Sequence, residues 1–300
     1  MSYLGIDIGG TEVKGILCDA SGTVHAGTRR PTNIQSGKEG IISVTREVIL
    51  TLSEGGARVE AIGIGTAGRI NAKTGDVVYA TDNLPGWMGI NIPAELKMSA
   101  PVFVDNDANA ALLGEHWLGA AKGRDSAVML TLGTGVGGAN LVNGAIVQGA
   151  TWNGGEWGHV ILVPGGHLCN CGNRGCMEQY LSGAALTRMA RETVSPAISH
   201  GRDIWPLYAS SDPDAVKAVD TYLQRLSIVI YNIHTGINPA CIVIGGGVIE
   251  SKDAFWEALQ QKISAFGVSV PVVPALLGNR AGCFGAARMA INGRAAAPFL

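Results

Sequence analysis

Residues 3–11 read YLGIDIGGT, a short apolar run that ends in two consecutive glycines. The run from Tyr3 to Ile8 predicts a buried β-strand, and the glycines predict a tight turn directly after it. A second strand is predicted from Val13 to Cys18, and a third from Thr23 onward after the Ser21-Gly22 turn. The chain therefore opens with three strands, of which the first two are joined by a glycine turn.

Residues 128–148 repeat this arrangement and read VMLTLGTGVGGANLVNGAIVQ. A strand precedes the glycines of residues 133–138, a second strand follows them, and Asn143-Gly144 is a hairpin signal before a third. Two copies of one strand-turn-strand unit predict an α/β protein that consists of two related lobes.

Helices and the limits of the lobes follow from apolar spacing. Apolar residues recur at helical intervals over 38–54, and again over 214–236 and 252–266, so these segments are predicted helices. We place a small lobe at residues 1–113, to which a C-terminal helix at 285–300 returns, and a large lobe at 114–284.

The composition limits the class of protein. Hydrophobic residues make up 47% of the 300 residues, which excludes a generally disordered chain. The net charge of −2 predicts neither a nucleic-acid partner nor a membrane surface. We expect no secretory signal, membrane span or disulfide framework, and hence a cytoplasmic protein.

Glycine is unusually abundant, with 43 residues, and much of it falls in four places: 9–10, 133–138, 154–158 and 245–247. The motif at 133–138 matches the dinucleotide fingerprint, but that motif needs a helix directly after the glycines, where a strand is predicted here. Backbone N–H groups of such turns can still bind phosphate. An ordinary β-turn is the alternative for each turn alone. The glycines at 245–247 either accommodate an adenine ring or form a loose turn before a helix.

Two aspartates are predicted at strand ends. Asp7 lies beside the first glycine turn with Lys14 nearby, and it could hold Mg²⁺ directly or through water; the alternative is an Asx turn. Asp107 precedes a predicted helix, so it is either a helix N-cap or the general base for a sugar hydroxyl. In the second case Asn106 could orient the sugar.

A third group of residues has the composition of a metal site. One imidazole and three thiolates lie close together in the sequence: His159, Cys169, Cys171 and Cys176. Three thiolates on one short loop favour a closed, tetrahedral, structural zinc site over packed free thiols. His167 is a rival ligand that we expect at the surface. Glu156 and Glu178 bracket the loop and are candidates to bind sugar hydroxyls.

Taken in this order, the motifs resemble those of the ROK family of repressors, open reading frames and kinases. The resemblance runs from DIGGT at 7–11, through DNDANA, LGTGVGG, GGEWGH and CNCGNRGCME, to GAARMA at 285–290. It implies a two-lobed actin-like ATPase (ribonuclease H-like) fold with a cleft between the lobes. The implied activity is ATP:hexose phosphotransfer, with Mg²⁺ at the reaction and a structural Zn²⁺.

The resemblance also implies roles for single residues. Asp107 matches the catalytic base, and the zinc ligands match the four residues named above. The sugar ligands would be Asn106, Asp107, Glu156, His159 and Glu178. The ATP-binding residues would be Asp7, Gly9, Gly10, Thr11, Gly133, Thr134, Gly135, Gly137, Gly246 and Gly247, and we place Lys14 with them.

Two groups of residues bear on the identity of the sugar. Gly68, Arg69 and Thr81 resemble the N-acetylmannosamine kinase branch, whereas NLPGW, which begins at Asn83, resembles bacterial glucokinases. Arg69 is alternatively an ordinary surface residue. We therefore predict a kinase that phosphorylates a hexose or N-acylhexosamine at O6, with N-acetylmannosamine or glucose favoured. These residues complete the predicted sugar site.

Two other functions were weighed against this prediction. A ROK transcriptional regulator would carry a helix-turn-helix before the DIGGT motif, and only six residues precede Asp7. A non-catalytic sugar sensor is disfavoured by an intact Asp107. The family habit further predicts a homodimer.

Overall fold

The computed structural model describes residues 1–54 and 58–296. The chain forms two compact units. The first comprises Met1–Gly123, Ile146–Gly154 and Leu276–Leu300, and the second comprises Arg124–Ala145 and Gly155–Ala275. The predicted limit after residue 113 lies inside a helix of the first unit, because the helix that begins at Asp107 continues to Leu118.

Among the described residues before 124, the first unit contains seven strands and three α-helices, with a short 3-10 helix at Ile34–Ser36. In chain order these are β1 (Ser2–Ile8), β2 (Glu12–Cys18), β3 (Val24–Pro31), α1 (Gly37–Ser53), β4 (Val59–Thr66), β5 (Arg69–Asn71), β6 (Asp76–Tyr79), α2 (Ile92–Leu96), β7 (Val102–Asn106) and α3 (Asp107–Leu118).

Five of these strands form one mixed sheet in the order β3-β2-β1-β4-β7, and β5 pairs with β6 separately. β1 is antiparallel to β2 and parallel to β4, which is in turn parallel to β7. Apolar side chains of β1, β4 and α1, such as Ile6, Ile64 and Val48, are fully buried in the core of this unit.

The second unit contains β8 (Ala127–Leu132) and β9 (Val136–Val142), and the short β10 (Ala145–Ile146) begins in it. The elements that follow are α4 (Glu178–Leu181), α5 (Gly183–Thr193), α6 (Ile204–Ala209), α7 (Pro213–Gly236), β11 (Ile242–Gly245), α8 (Trp256–Ala265) and β12 (Val272–Pro274).

The second sheet has the order β10-β9-β8-β11-β12. β8 is antiparallel to β9 and parallel to β11, as β1 is to β2 and β4. The two sheets thus share one topology, which confirms the predicted duplication of the strand-turn-strand unit. The helix predicted at 252–266 is wrong in its first turn, because a 3-10 helix occupies Gly247–Ala254 and α8 begins at Trp256.

The last helix, α9 (Ala281–Ala296), belongs to the first unit and packs on β1, β4 and α3. It begins before the predicted residue 285, and residues 297–300 of that prediction lie outside the described residues. The contact is close: a Cβ at Gly63 of β4 would lie 1.8 Å from the carbonyl oxygen of Ala286. Glycine at this position therefore lets the helix backbone approach the strand.

Within residues 1–54 and 58–296, no helix is both long and apolar enough to cross a membrane.

Candidate active site

The junction of β7 and α3 brings the predicted base and its neighbour together. Asn106 is the N-cap of α3: its side-chain oxygen accepts the N–H groups of Ala108 (2.8 Å) and Asn109 (3.2 Å). The alternative that Asp107 caps the helix is therefore wrong, because the residue before it does so. Asp107 is the first helical residue, and its carboxylate accepts the N–H of Ala108 at 2.9 Å.

The environment of this junction raises the pKa of its carboxyl groups above the usual range for aspartate, which favours proton acceptance. Burial raises the pKa of Asp107, against the hydrogen bonds that lower it. Burial, and then the charge of Asp107, raise the pKa of Asp7 to about 6, although the ammonium of Lys14 lowers it. Lys14 lies directly opposite Asp7 in the register of β1 and β2. The structure thus places Asp7, Lys14 and Asp107 in one electrostatic neighbourhood.

Asp105 is a residue that the sequence reasoning missed. It is buried, and its carboxylate accepts hydrogen bonds from the side chains of Asn109 (2.9 Å) and Gln148 (2.6 Å) and from the N–H of Asn106 (2.7 Å). Burial raises its pKa despite these bonds. An acid within an otherwise apolar strand was the only available signal, and its partner Gln148 lies on a distant segment.

Gly68 and Asn106 are brought together by a hydrogen bond. The side-chain N–H of Asn106 donates to the carbonyl oxygen of Gly68 at 2.9 Å, and Gly68 has a φ of +110°. A Cβ at Gly68 would approach the carbonyl oxygen of Tyr79 to 2.6 Å, so only glycine fits there. The protein itself thus uses both the oxygen and one N–H of the Asn106 amide.

Arg69, Thr81 and Asn83 follow this glycine. The guanidinium of Arg69 lies 4.3 Å from the centre of the Tyr79 ring, and the residue is partly buried, so both its role beside the sugar and its place as an ordinary surface residue stay predictions. Thr81 is partly buried and Asn83 is exposed, in the loop that ends at the buried Trp87. Trp87 anchors that loop by donating its indole N–H to the Thr66 hydroxyl at 3.0 Å.

The first glycine turn is held in shape by its own backbone. The N–H of Gly9 donates to the carbonyl oxygen of Glu12 at 3.0 Å, and the Thr32 hydroxyl donates to the carbonyl oxygen of Gly9 at 2.6 Å. Gly10 and Thr11 are exposed at the tip. The turn therefore presents accessible backbone, as phosphate binding requires.

The second glycine turn, in the second unit, uses two of its N–H groups internally. Gly133 donates to the carbonyl oxygen of Gly135 at 3.0 Å, and Val136 donates to the carboxylate of Glu178 at 3.0 Å. A Cβ at Gly135 would lie 2.4 Å from that carboxylate. Glu178 is thus fixed against the turn, and Thr134 and Gly135 are left as the turn's candidates to meet a phosphate.

The carboxyl end of β11 continues into Gly246 and Gly247. Gly246 has a φ of +87°, and a Cβ there would lie 2.5 Å from the backbone of Leu132 at the end of β8. Gly247 has open space around it. The backbone at this strand end is therefore exposed to a flat ligand, as the adenine prediction requires.

The four predicted metal ligands converge. One ligand atom from each of His159, Cys169, Cys171 and Cys176 lies within 4.8 Å of the others. The Sγ atoms of Cys171 and Cys176 are 3.6 Å apart, and Sγ of Cys169 is 3.7 Å from Nδ1 of His159. A tetrahedron with zinc–sulfur and zinc–nitrogen bonds has edges of about 3.5–3.8 Å. The donor set therefore fits zinc. His167 is exposed and packs against Tyr180, outside this cluster.

The orientation of His159 divides its two nitrogens. Nδ1 faces the thiol cluster, and Nε2 lies 4.0 Å from a carboxylate oxygen of Glu156. Trp157 lies between Glu156 and His159 in the sequence. Its indole N–H donates to the side-chain oxygen of Asn140 at 2.8 Å and thereby holds this segment against β9. One oxygen of Glu178 lies 3.9 Å from Sγ of Cys169. The second unit thus brings Glu156, His159 and Glu178 to the rim of one cluster.

Comparison with known proteins decides the family. The sequence description of the ROK family matches residues 3–292 of this chain. The chain belongs to the ROK family. The predicted family is therefore confirmed, and with it the α/β fold class.

Several named relatives of this ROK chain are sugar kinases. It is 32% identical to a glucokinase of Thermotoga maritima over 96% of each chain. A ROK hexokinase from Thermus thermophilus is 34% identical, with a TM-score of 0.86 over 98% of this chain and 99% of that one. A ROK glucokinase from Streptomyces griseus, solved with glucose and AMPPNP, is 30% identical, with a TM-score of 0.85 over 98% and 100%.

Proposed function

We propose that this ROK chain is an ATP-dependent sugar kinase that phosphorylates a hexose or N-acylhexosamine. The observation that carries the proposal is the Asp107 carboxylate, held at the junction of β7 and α3 with its pKa raised by burial. A carboxylate with a raised pKa is a better proton acceptor for a hydroxyl than an ordinary aspartate. The relatives named as glucokinases and hexokinases support a kinase over a regulator or a sensor.

In the proposed reaction Asp107 takes the proton of the sugar O6 hydroxyl as that oxygen attacks the γ-phosphorus of ATP. The new O–P bond forms while the bond from the γ-phosphorus to the bridging oxygen breaks, and ADP leaves with that electron pair. Positioning and charge neutralisation dominate such transfers. Hydrogen bonds to Gly68 and to the first turn of α3 fix the orientation of the Asn106 amide. We therefore expect it to contact the sugar in one orientation.

Phosphate binding is assigned to the accessible parts of the two glycine turns. These are Gly10 and Thr11 at the tip of the first turn, and Thr134 and Gly135 in the second, whereas the N–H of Gly9 is used within its turn and Gly137 lies in β9. A Mg²⁺ ion bound with ATP neutralises charge on the phosphates, and Asp7 is the carboxylate proposed to hold it, directly or through water. Ionised Asp7 is needed for that role, and Lys14 opposite it favours the ionised form.

The zinc site is proposed as structural. His159, Cys169, Cys171 and Cys176 would hold the ion through Nδ1 and three thiolates, and a bound Zn²⁺ would cross-link the loop that carries them. That arrangement leaves Nε2 of His159 outside the metal site, and we assign this atom, together with the carboxylates of Glu156 and Glu178, to sugar hydroxyls. The four ligands leave no position for a reacting group, so no step uses the metal.

The residues near the proposed sugar site include one cation. Arg69 stacks on the Tyr79 ring at 4.3 Å, and this contact supports a defined position for the guanidinium beside the substrate. N-Acetylmannosamine and glucose remain the favoured substrates. The homodimer and the cytoplasmic location stay predictions.

The test is a phosphorylation assay with ATP and Mg²⁺ against glucose, mannose, fructose, N-acetylmannosamine, N-acetylglucosamine and allose. We expect ADP release that depends on one or a few of these sugars, with the phosphate at O6 by NMR. Sugar binding without any phosphorylated product would instead assign the chain to the sensor class.

A further inference from the structure

A cavity of about 350 Å³ lies in the second unit and is lined by none of the residues assigned above to ATP, sugar or zinc. Its walls are faces of α5 and α7, and the buried Tyr180 of α4 contributes a third side. Small-molecule sites in proteins have volumes of about 300–1,000 Å³. The cavity is therefore large enough for a small metabolite.

The two helices meet at the cavity with polar side chains. The lining positions recur every three or four residues along each helix, as one helical face does: Ala185, Arg188 and Glu192 on α5, and Asp214, Lys217, Ala218, Thr221 and Arg225 on α7. A seam between packed helices is normally apolar and closed. Here the floor of the seam includes Ala185, Met189 and Ala218, whereas Glu192, Asp214 and Lys217 are exposed, so the cavity opens to solvent through a charged rim.

The cations of this seam lack acidic partners. Among the residues that the structure describes, no carboxylate oxygen lies within 4.0 Å of the charged nitrogens of Arg188, Lys217 or Arg225. Arg188 donates instead to the side-chain and backbone oxygens of Gln179. Arg225 stacks its guanidinium 4.7 Å from the centre of the Tyr180 ring. Three positive groups therefore border the cavity without a countercharge in contact.

We propose that this cavity binds a small phosphate monoester. Stacking on Tyr180 fixes the plane of the Arg225 guanidinium and leaves its edge N–H groups for two parallel bonds to a phosphate. Lys217 lies about two turns before Arg225 on the same face of α7 and adds a point charge. Glu192 and Asp214, in the last turn of α5 and the first turn of α7, are suited to accept hydroxyl hydrogens from the rest of the ligand.

The cavity is connected to the segment that carries the predicted zinc ligands. The Tyr180 hydroxyl accepts the backbone N–H of His167 at 2.9 Å, and Tyr180 lies two residues after Glu178 on the same short helix. Hence a ligand that rigidifies Arg225 and Tyr180 also protects the His167 amide. Slower hydrogen exchange at that amide is the expected structural signature.

The experiment is calorimetric titration of the full chain with glycerol 3-phosphate, a phosphate monoester without a sugar ring, in the absence of ATP. We expect one site per chain. Arg225→Gln and Lys217→Gln should each weaken binding at least tenfold, and Arg225→Lys should do so too because the fork is lost. Arg202→Gln, at an exposed arginine of the same unit outside the cavity, should bind as the unmodified chain does.

Several outcomes would overturn the proposal. They are no binding, equal binding by all variants, or an altered oligomeric mass of Lys217→Gln with unchanged affinity, which would assign the seam to a second copy of the chain. Lys217 is exposed and makes no ion pair within 4.0 Å among the described residues, so its variant tests binding without threatening folding. No turnover is measured, so the result is independent of the proposed kinase activity.

Discussion

The side-chain amide of Gln148 donates a hydrogen bond of 2.6 Å to the carboxylate of Asp105, two residues before the proposed base Asp107. Gln148 lies on the segment Ile146–Gly154, which rejoins the first unit after the second sheet has begun. Asp105 also accepts hydrogen bonds from Asn106 and Asn109, so one buried carboxylate connects the returning segment to the start of α3. We therefore expect this connection to position Asp107.

Gln148→Leu should therefore lower both stability and turnover. The buried Asp105 oxygen loses its partner, and an unsatisfied buried acceptor costs about 1–3 kcal/mol, measurable by urea denaturation. A small displacement of Asp107 should lower kcat by up to about 10²-fold while the KM for sugar changes little. Gln224→Leu, at an exposed position of α7, is the matched control. Unchanged kcat in a less stable Gln148→Leu protein would show that the bond is structural only.

The raised pKa of Asp7 predicts a stability that falls as pH rises. The folded protein holds this proton up to about pH 6, whereas an ordinary aspartate loses it near 3.8, so the folded state binds more protons in between. The free energy of unfolding should fall by about 1–3 kcal/mol from pH 4 to pH 6. Asp105 and Asp107 contribute in the same direction, since burial raises their pKa as well.

Asp7→Asn should flatten this decline, as measured by urea denaturation at half-unit steps of pH without nucleotide. Asp19→Asn is the control variant. Hydrogen bonds from Ser21 lower the pKa of Asp19 to about 2, so its contribution to the free energy of unfolding changes below pH 4 and has the opposite sign. An Asp7→Asn profile as steep as that of the unmodified chain would contradict the assignment.

Features whose residues lie close together in the chain could be predicted from the sequence. The strand-turn-strand units at 3–18 and 128–148 were readable because apolar runs, glycine turns and the Asn143-Gly144 hairpin lie next to each other in the chain. The four candidate metal ligands could be predicted for the same reason, since three of them lie on one short loop, 169–176, and His159 precedes that loop by ten residues. The alternative that Asp107 is the N-cap of α3 is off by one residue, since Asn106 is the N-cap in the structure. Both residue types suit an N-cap, and only the backbone conformation decides between them.

Contacts between distant segments were not readable. Gln148 reaches Asp105, and Glu178 reaches the amide of Val136, across stretches that no periodicity connects. The glycine excess was assigned largely to ligand loops, yet Gly63 is needed for helix packing, as shown by the carbonyl of Ala286 lying where its Cβ would be. Only the folded chain reveals which glycines serve a close approach between elements.

Asp107→Asn should abolish most phosphotransfer while sugar binding is kept. The amide cannot take the hydroxyl proton, and loss of a general base costs about 10²–10⁴-fold in kcat. Sugar affinity, measured by calorimetry without ATP, should stay within about threefold because the amide has the shape of the carboxyl group. Asp253→Asn, whose side chain is 92% exposed, should leave kcat unchanged. Near-normal turnover of Asp107→Asn would remove Asp107 from its proposed role.

The converging ligand atoms predict one tightly bound zinc ion per chain, measurable by elemental analysis of the purified protein. Cys171→Ser should lose the ion, because a serine hydroxyl is a poor ligand, whereas Cys241→Ser, at a buried thiol outside the cluster, should retain it. Cys171 is partly exposed, so its replacement leaves no core cavity, and any change traces to the metal. Since the loop then loses its cross-link, hydrogen exchange should quicken over residues 159–178, and the KM for sugar should rise more than kcat falls. Equal metal content in the two variants, or folded and active chain without metal, would refute the structural zinc site.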